Sequence, residues 1–179
     1  MIIRVKKQPS LRYWSERRGH FHLLIKFYNS IIRDKSEIRM KHIVESVEEL
    51  YNRKEPTGEA IVDAVVEILR KFRLIYPEDV ALLLDVKVRD LRGAWLILTG
   101  MKFIDCITQW RVLQAQDLMR KSLVEMVSDG RKAIDTNKLL RDVARRCGWR
   151  SERVMSHVFE RCCGISVSKW LRSITKNDE

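Results

Sequence analysis

The side chains able to do covalent or metal chemistry in this 179-residue chain are few, and their spacing does not combine them. Its four thiols, Cys106, Cys147, Cys162 and Cys163, include no C-x-x-C pair, so neither a zinc ribbon nor a redox dithiol is suggested. Free buried thiols are the plain reading. His20 and His22 stand two apart; on a helix they point to different faces, and no cysteine or carboxylate set completes a metal site around them. There is no glycine-rich phosphate loop, nucleophile elbow or pair of catalytic carboxylates. The expectation is a protein that is not an enzyme and carries no cofactor and no metal.

What remains is charge. Lys and Arg number 35 against 24 Asp and Glu, a net charge of +11 with a pI near 9.8. Such a balance attracts polyanions, nucleic acid or an anionic membrane surface. The excess is uneven: residues 1–56 carry net +6, residues 57–130 net −1 and residues 131–176 net +8. A polyanion is therefore expected to meet the last third first, with the N-terminal segment as a second contact. The opening Met-Ile-Ile-Arg-Val-Lys-Lys is charged where a signal peptide needs an apolar core, and no run reaches the roughly 18 to 20 apolar residues of a membrane span. The expected location is cytoplasmic, with no membrane partner.

The elements that must position these charges are helical nearly throughout. Phe21, Leu24, Ile25, Tyr28, Ile31 and Ile32 make one amphipathic stripe, and Ile38, Ile43, Val44, Val47, Leu50 and Tyr51 a second. "KEPTG" interrupts, with Pro56 and Gly58 disfavouring helix and Thr57 able to cap a new one, so a domain boundary is placed at 56/57. Ile61 to Phe72 reads as the next helix. "YPEDVALLL" opens a short helix to about Leu84, "DVK" turns, and a helix from Val88 to about Leu98 is stopped by Gly100. A long helix runs from Phe103 to about Met126, with Ile104, Ile107, Trp110, Leu113 or Val112, Leu118 and Met119 as its apolar positions. The pattern then returns: a short helix with Leu139, Leu140, Val143 and Ala144, a turn at Cys147-Gly148-Trp149, and a helix from Ser151 to Cys163 ended by Gly164.

The repeat is visible in the residues. "DVALLLDVKVRDLRGAWLILTGMKF" and "DVARRCGWRSERVMSHVFERCCGIS" both begin Asp-Val-Ala, place an aromatic late in the second helix (Trp95, Phe159) and put Gly five residues after it (Gly100, Gly164). The spacing predicts that Trp95 and Phe159 plug equivalent cores. The fold class expected is all-α: two helix-turn-helix subdomains joined by a long connecting helix, preceded by a helical N-terminal extension over 1–56.

Residues 57–176 on this reading resemble the DNA-binding domain of the AraC-type (AraC/XylS) transcription regulators. The likeness is most specific in "LRDVARRCGW", "VFERCCGIS" and "SKWLR", which match the family's I-x-D-I-A-x-x-x-G-F, F-x-x-x-x-G-x-S and closing aromatic-x-R elements. Leu91, Trp95, Thr99-Gly100, Phe103, Arg111 and Ala115 carry it in the first half. The chain departs from the family at Lys87, usually Ser, at Val167, usually Pro, and at Leu96 and Ile97, where two basic residues are common.

The resemblance implies a sequence-specific regulator that binds double-stranded DNA and, as an activator, touches RNA polymerase. By position in the motif, Glu152, Arg153, Ser156 and His157 are the base-reading residues of the second unit, and Arg89 and Arg92, with Gly93, those of the first. Arg145, Arg146, Arg150, Arg161 and Lys169 are then the phosphate contacts. The 56 N-terminal residues are too few for the β-barrel effector domain of many AraC-type regulators, so no small-molecule ligand is expected. Their stripes either pack on the chain's own domain or form a homodimer interface. The apolar run Trp95-Leu96-Ile97-Leu98 calls for a cover beyond its own unit, and those N-terminal helices are the expected cover. The same run, with the net acidic first unit, supports an alternative: a protein-interaction adaptor on a degenerate AraC-like scaffold with weak or non-specific DNA binding.

Overall fold

The computed structural model describes residues 46–72, 76–128 and 135–176, and these form eight helices with no strand among them: an all-α fold. The first, α1 (Val47–Asn52), starts where the Ser46 hydroxyl accepts the Glu49 N–H at 3.1 Å, and it buries Val47 and Leu50. The break after it is organised by one carboxylate. Asp63 accepts the Thr57 N–H and the Thr57 hydroxyl, both at 2.7 Å, and the Gly58 N–H at 3.2 Å. Thr57 was expected to cap the next helix, α2 (Ala60–Lys71); the N-cap is instead Glu59, whose own N–H donates to the Thr57 hydroxyl.

Two helix pairs follow the same local design. In the first, α3 (Pro77–Leu83) and α4 (Val88–Thr99) flank a tight turn; in the second, α6 (Thr136–Arg146) and α7 (Glu152–Cys163) do. Leu84 N–H donates to Val80 O at 3.0 Å and Val86 N–H to Ala81 O at 2.9 Å; Cys147 and Trp149 repeat these bonds to Val143 and Ala144 at 2.9 and 2.8 Å. Each turn needs one left-handed residue. The second uses Gly148 (φ 71°), while the first uses Asp85 (φ 56°), one of the few non-glycine types that tolerates this region. Gly100 and Gly164 end α4 and α7 in the same left-handed conformation.

Counting from these shared bonds, the second turn is one residue longer, and the extra residue is Arg150: Lys87 caps α4 directly after Val86, whereas Arg150 separates Trp149 from the cap Ser151. The Ser151 hydroxyl accepts the Val154 N–H at 3.2 Å; Lys87 makes no such side-chain bond. The residue just before the second helix is thus a serine cap in one pair and a cation in the other.

Between the pairs runs α5 (Phe103–Ser128), 26 residues and about 39 Å at about 1.5 Å per residue. Its first two turns, through Phe103, Cys106, Ile107 and Trp110, close a core with α1 to α4; the rest, through Val112, Ala115, Leu118, Met119 and Leu123, closes another with α6, α7 and α8 (Val167–Lys176). Trp95 and Phe159 are fully buried, one in each core. Each meets a ring from the next helix, Phe103 at 5.2 Å and Trp170 at 5.5 Å. Val47, Leu50 and Tyr51, placed by the sequence in the N-terminal extension, pack into the first core. Ile104, expected to be buried on α5, is exposed.

The run Trp95 to Leu98 faces largely into the first core. Trp95 and Leu98 are buried and Ile97 packs partly against the same core, so only Leu96, at 48% exposure, faces solvent. The core that takes Trp95, Leu98 and part of Ile97 also takes Val47 and Leu50, so the described end of the second N-terminal stripe belongs to the same core as the run. The stripe at residues 21–32 lies outside the described residues, as does the rest of 1–45. No helix among the described residues is long and apolar enough to cross a membrane.

Candidate nucleic-acid interface

Four arginines converge on one open groove. Arg141 and Arg145 lie one turn apart on α6, Arg150 is the extra residue of the turn, and Arg153 is the second residue of α7; with Trp149 and Glu152 they line the groove. The local sequence explains the convergence. Leu139, Leu140, Val143 and Ala144 fix the buried side of α6, which leaves positions 141 and 145 on its outer side, and the Ser151 cap points the start of α7 back toward them. Arg145 is paired with Asp142 at 2.9 Å, and Arg146 approaches the other oxygen of the same carboxylate at 3.6 Å. Arg141, Arg150 and Arg153 have no carboxylate partner among the described residues.

Along α7, Arg153 and His157 are exposed and Glu152 and Ser156 half-buried, while Met155 and Phe159 turn into the core. Arg153 and His157 thus occupy the face opposite the buried one, and Glu152 and Ser156 lie on its flank beside Met155 and Phe159. Arg161, at the far end of α7, and Lys169, on α8, are exposed but lie outside the groove. Sequence reasoning missed Arg141. Its signal was present: it precedes Arg145 by four residues, the spacing that puts two side chains on one helix face.

In the first pair, Arg89 is the most exposed of the assigned base readers, with its Nε 3.5 Å from Asp90. Arg92 donates to Glu78 Oε1 at 3.0 Å, bridging α4 to α3. Gly93 is half-buried.

Arg111, the ninth residue of α5, connects the two pairs. Its guanidinium sits 4.9 Å from the Tyr76 ring at the start of α3 and 5.8 Å from the Trp149 ring of the second turn. These are stacking distances for a cation over an aromatic face. The indole that floors the arginine groove is therefore held from behind by the connecting helix.

The thiols are separate from this surface. Cys106 and Cys147 are buried in the two cores, and burial pushes the Cys106 thiol up to about 12. Cys162 is exposed and Cys163 half-buried, accepting from Gln116 Nε2 at 3.4 Å; burial raises both thiols above their ordinary value, which lowers their reactivity. Among the described residues no three His, Cys, Asp or Glu side chains come together as a metal site.

The structure defines the chain as an all-α protein built on two helix pairs and a connecting helix. Comparisons with protein-family models, with curated proteins and with solved structures found no match.

Proposed function

We propose that this protein is a sequence-specific, non-enzymatic DNA-binding transcription regulator of AraC type, acting in the cytoplasm and engaging duplex DNA through its second helix pair. The observation that carries this reading is the groove formed by Arg141, Arg145, Arg150 and Arg153 around Trp149 at the head of α7. Phosphate contacts fix the register of a helix on the duplex, and side chains near its start then reach base edges. Arg153 can bond guanine O6 and N7 in bidentate fashion, Glu152 can accept from cytosine, and Ser156 and His157 extend the reading along the groove. An activating role would add RNA polymerase as partner, and a dimeric one a second copy through residues 1–56.

A mobility shift of the full chain on random duplex over a series of salt concentrations, followed by selection of bound sequences, tests it. The expected result is binding that weakens steeply with salt, with a base preference over one half-site. No retention of duplex at low salt would overturn the reading.

One feature favours the adaptor reading: on the first pair Leu82 is 79% exposed and Leu96 48%, apolar side chains where the second pair is charged or polar. Salt-sensitive binding with no base preference after selection would favour it over the regulator.

A further inference from the structure

The turn hydrogen bonds align the two helix pairs residue by residue. Val80 corresponds to Val143 and Ala81 to Ala144, so Glu78 stands where the second pair has Arg141, and Leu82 where it has Arg145. Past the turn, the left-handed glycines Gly100 and Gly164 align Arg89 with Arg153 and Arg92 with Ser156. Of the four groove arginines, one has a basic counterpart (Arg89), one an apolar counterpart (Leu82), one none at all (Arg150), and one is inverted in charge (Glu78).

We infer that Glu78 is a specificity-determining residue that keeps the first helix pair off the phosphate backbone, so that DNA is engaged through the second pair alone. This rests on the DNA-binding reading above. Glu78 acts twice. It sets a negative charge where the second pair offers Arg141 to a phosphate, and it holds the Arg92 guanidinium at 3.0 Å, on a face where Arg92 would otherwise be free to reach a base edge or a phosphate. The pair is about half exposed on both sides, so it is weak in itself and a phosphate could compete for Arg92. Competition would leave the Glu78 carboxylate unpaired beside the phosphates, and that repulsion is what tips the balance. Lys87 and Arg89 remain as cations of this pair, but Asp79, Asp85 and Asp90 belong to it too, and Arg89 already lies against Asp90.

The test uses the full chain and its Glu78→Gln, Glu78→Arg and Arg141→Glu variants, each checked for an unchanged helical spectrum. Duplex carrying the sequence selected by the wild type is footprinted with hydroxyl radical, and affinity is followed against salt. The expected wild-type footprint lies within about one helical turn, roughly 10 base pairs. Glu78→Arg should extend it by about one further turn and steepen the log–log salt slope by about 1 to 2, since each added phosphate contact contributes about 0.9. Glu78→Gln should tighten binding at low salt without altering the base preference set by α7, and Arg141→Glu should weaken it. A wild-type footprint already spanning two successive turns overturns the inference, as do Glu78 variants that keep the wild-type slope and footprint. Absence of any duplex binding by the wild type removes the DNA-binding reading itself, and the inference with it.

Discussion

The Tyr51 hydroxyl donates to Asp117 Oδ2 at 2.6 Å, across 66 residues of sequence. The bond fastens α1 to the connecting helix beyond the midpoint of α5, while the ring of Tyr51 packs edge-on against Trp110 at 4.9 Å. Arg70 adds a second clasp by donating to the carbonyls of Leu50 and Arg53. The segment before "KEPTG" is thus part of the first unit's structure at its C-terminal end.

Tyr51→Phe should keep the ring packing and lose only the bond to Asp117. A hydrogen bond to a charged group contributes about 1.5 to 3 kcal/mol, and Asp117 retains Arg120 at 3.2 Å, so a cost toward the lower end is expected. Denaturant melts of the two proteins check this; an unchanged midpoint would show that the bond adds nothing net.

Arg153→Ala should cost about 1 to 3 kcal/mol at the preferred site and relax the base preference at one position, because Arg153 is exposed at the head of α7 with no carboxylate holding it. Arg146→Ala should weaken all sequences alike and only slightly, since Asp142 already engages that guanidinium. Selection repeated with each variant separates the two effects, and an unaltered sequence preference for Arg153→Ala removes it from the reading set.

Stability should fall as the solution is made alkaline, beginning near pH 9. Cys106 is raised from 9.0 to about 12 by burial, and Tyr51 is raised above its ordinary 10.0 by burial and then by its bond to Asp117. Between the unfolded and folded values the native state holds protons that the unfolded chain has released, so stability is complete below about pH 9 and is lost as pH rises toward 12. Each such proton contributes a slope of about 1.4 kcal/mol per pH unit. Cys106→Ala should lower stability at neutral pH through its cavity yet flatten this slope by about one proton; a slope equal to wild type would refute the assignment to Cys106.

Trp95→Ala and Phe159→Ala should each cost about 3 to 5 kcal/mol, as truncations of fully buried aromatics do. Their effects on DNA should differ. Phe159→Ala removes the inner side of α7 and should abolish binding, whereas Trp95→Ala, if the second pair alone meets DNA, should leave affinity near wild type at temperatures where the chain stays folded. Calorimetry and a mobility shift on the same samples read both.

Much of this is legible in the residue types alone. Asp-Val-Ala, the late aromatic and the following glycine marked both helix pairs, because a left-handed stop and a buried ring leave unmistakable residue types at fixed spacing. Other features were hidden because they depend on which face a residue takes or on a distant partner. Ile104 fits the apolar period of α5 but falls on its outer side. Arg92 looked like a free base reader, and only the packing of α3 on α4 brings Glu78, 14 residues earlier, to its guanidinium. The closing "SKWLR" is legible as a motif element, but not as the part of α8 in which Trp170 packs on Phe159 and Arg120 lies over the Trp170 ring at 5.2 Å. The apolar run at Trp95 to Leu98 invited an external cover because a linear reading cannot tell that Ile97 and Leu98 both turn toward the same core.

The two cores meet along α5 within one turn, where Trp110 and Leu113 pack on one, Val112 belongs to the other, and Arg111 lies among them. A rod shared in this way divides the molecule into two cooperative blocks whose opening free energies need not match. Amides on α6, α7 and α8 would exchange with solvent deuterium as one population and those on α2, α3 and α4 as another, each decaying with its own rate. The Tyr51 bond to Asp117 spans the seam from the first block to the second half of the rod, and the Arg111 guanidinium touches rings of both. How far melting of one block drags the other with it is therefore set in part by these side chains, together with Gln114, which donates to Leu69 O at 3.4 Å.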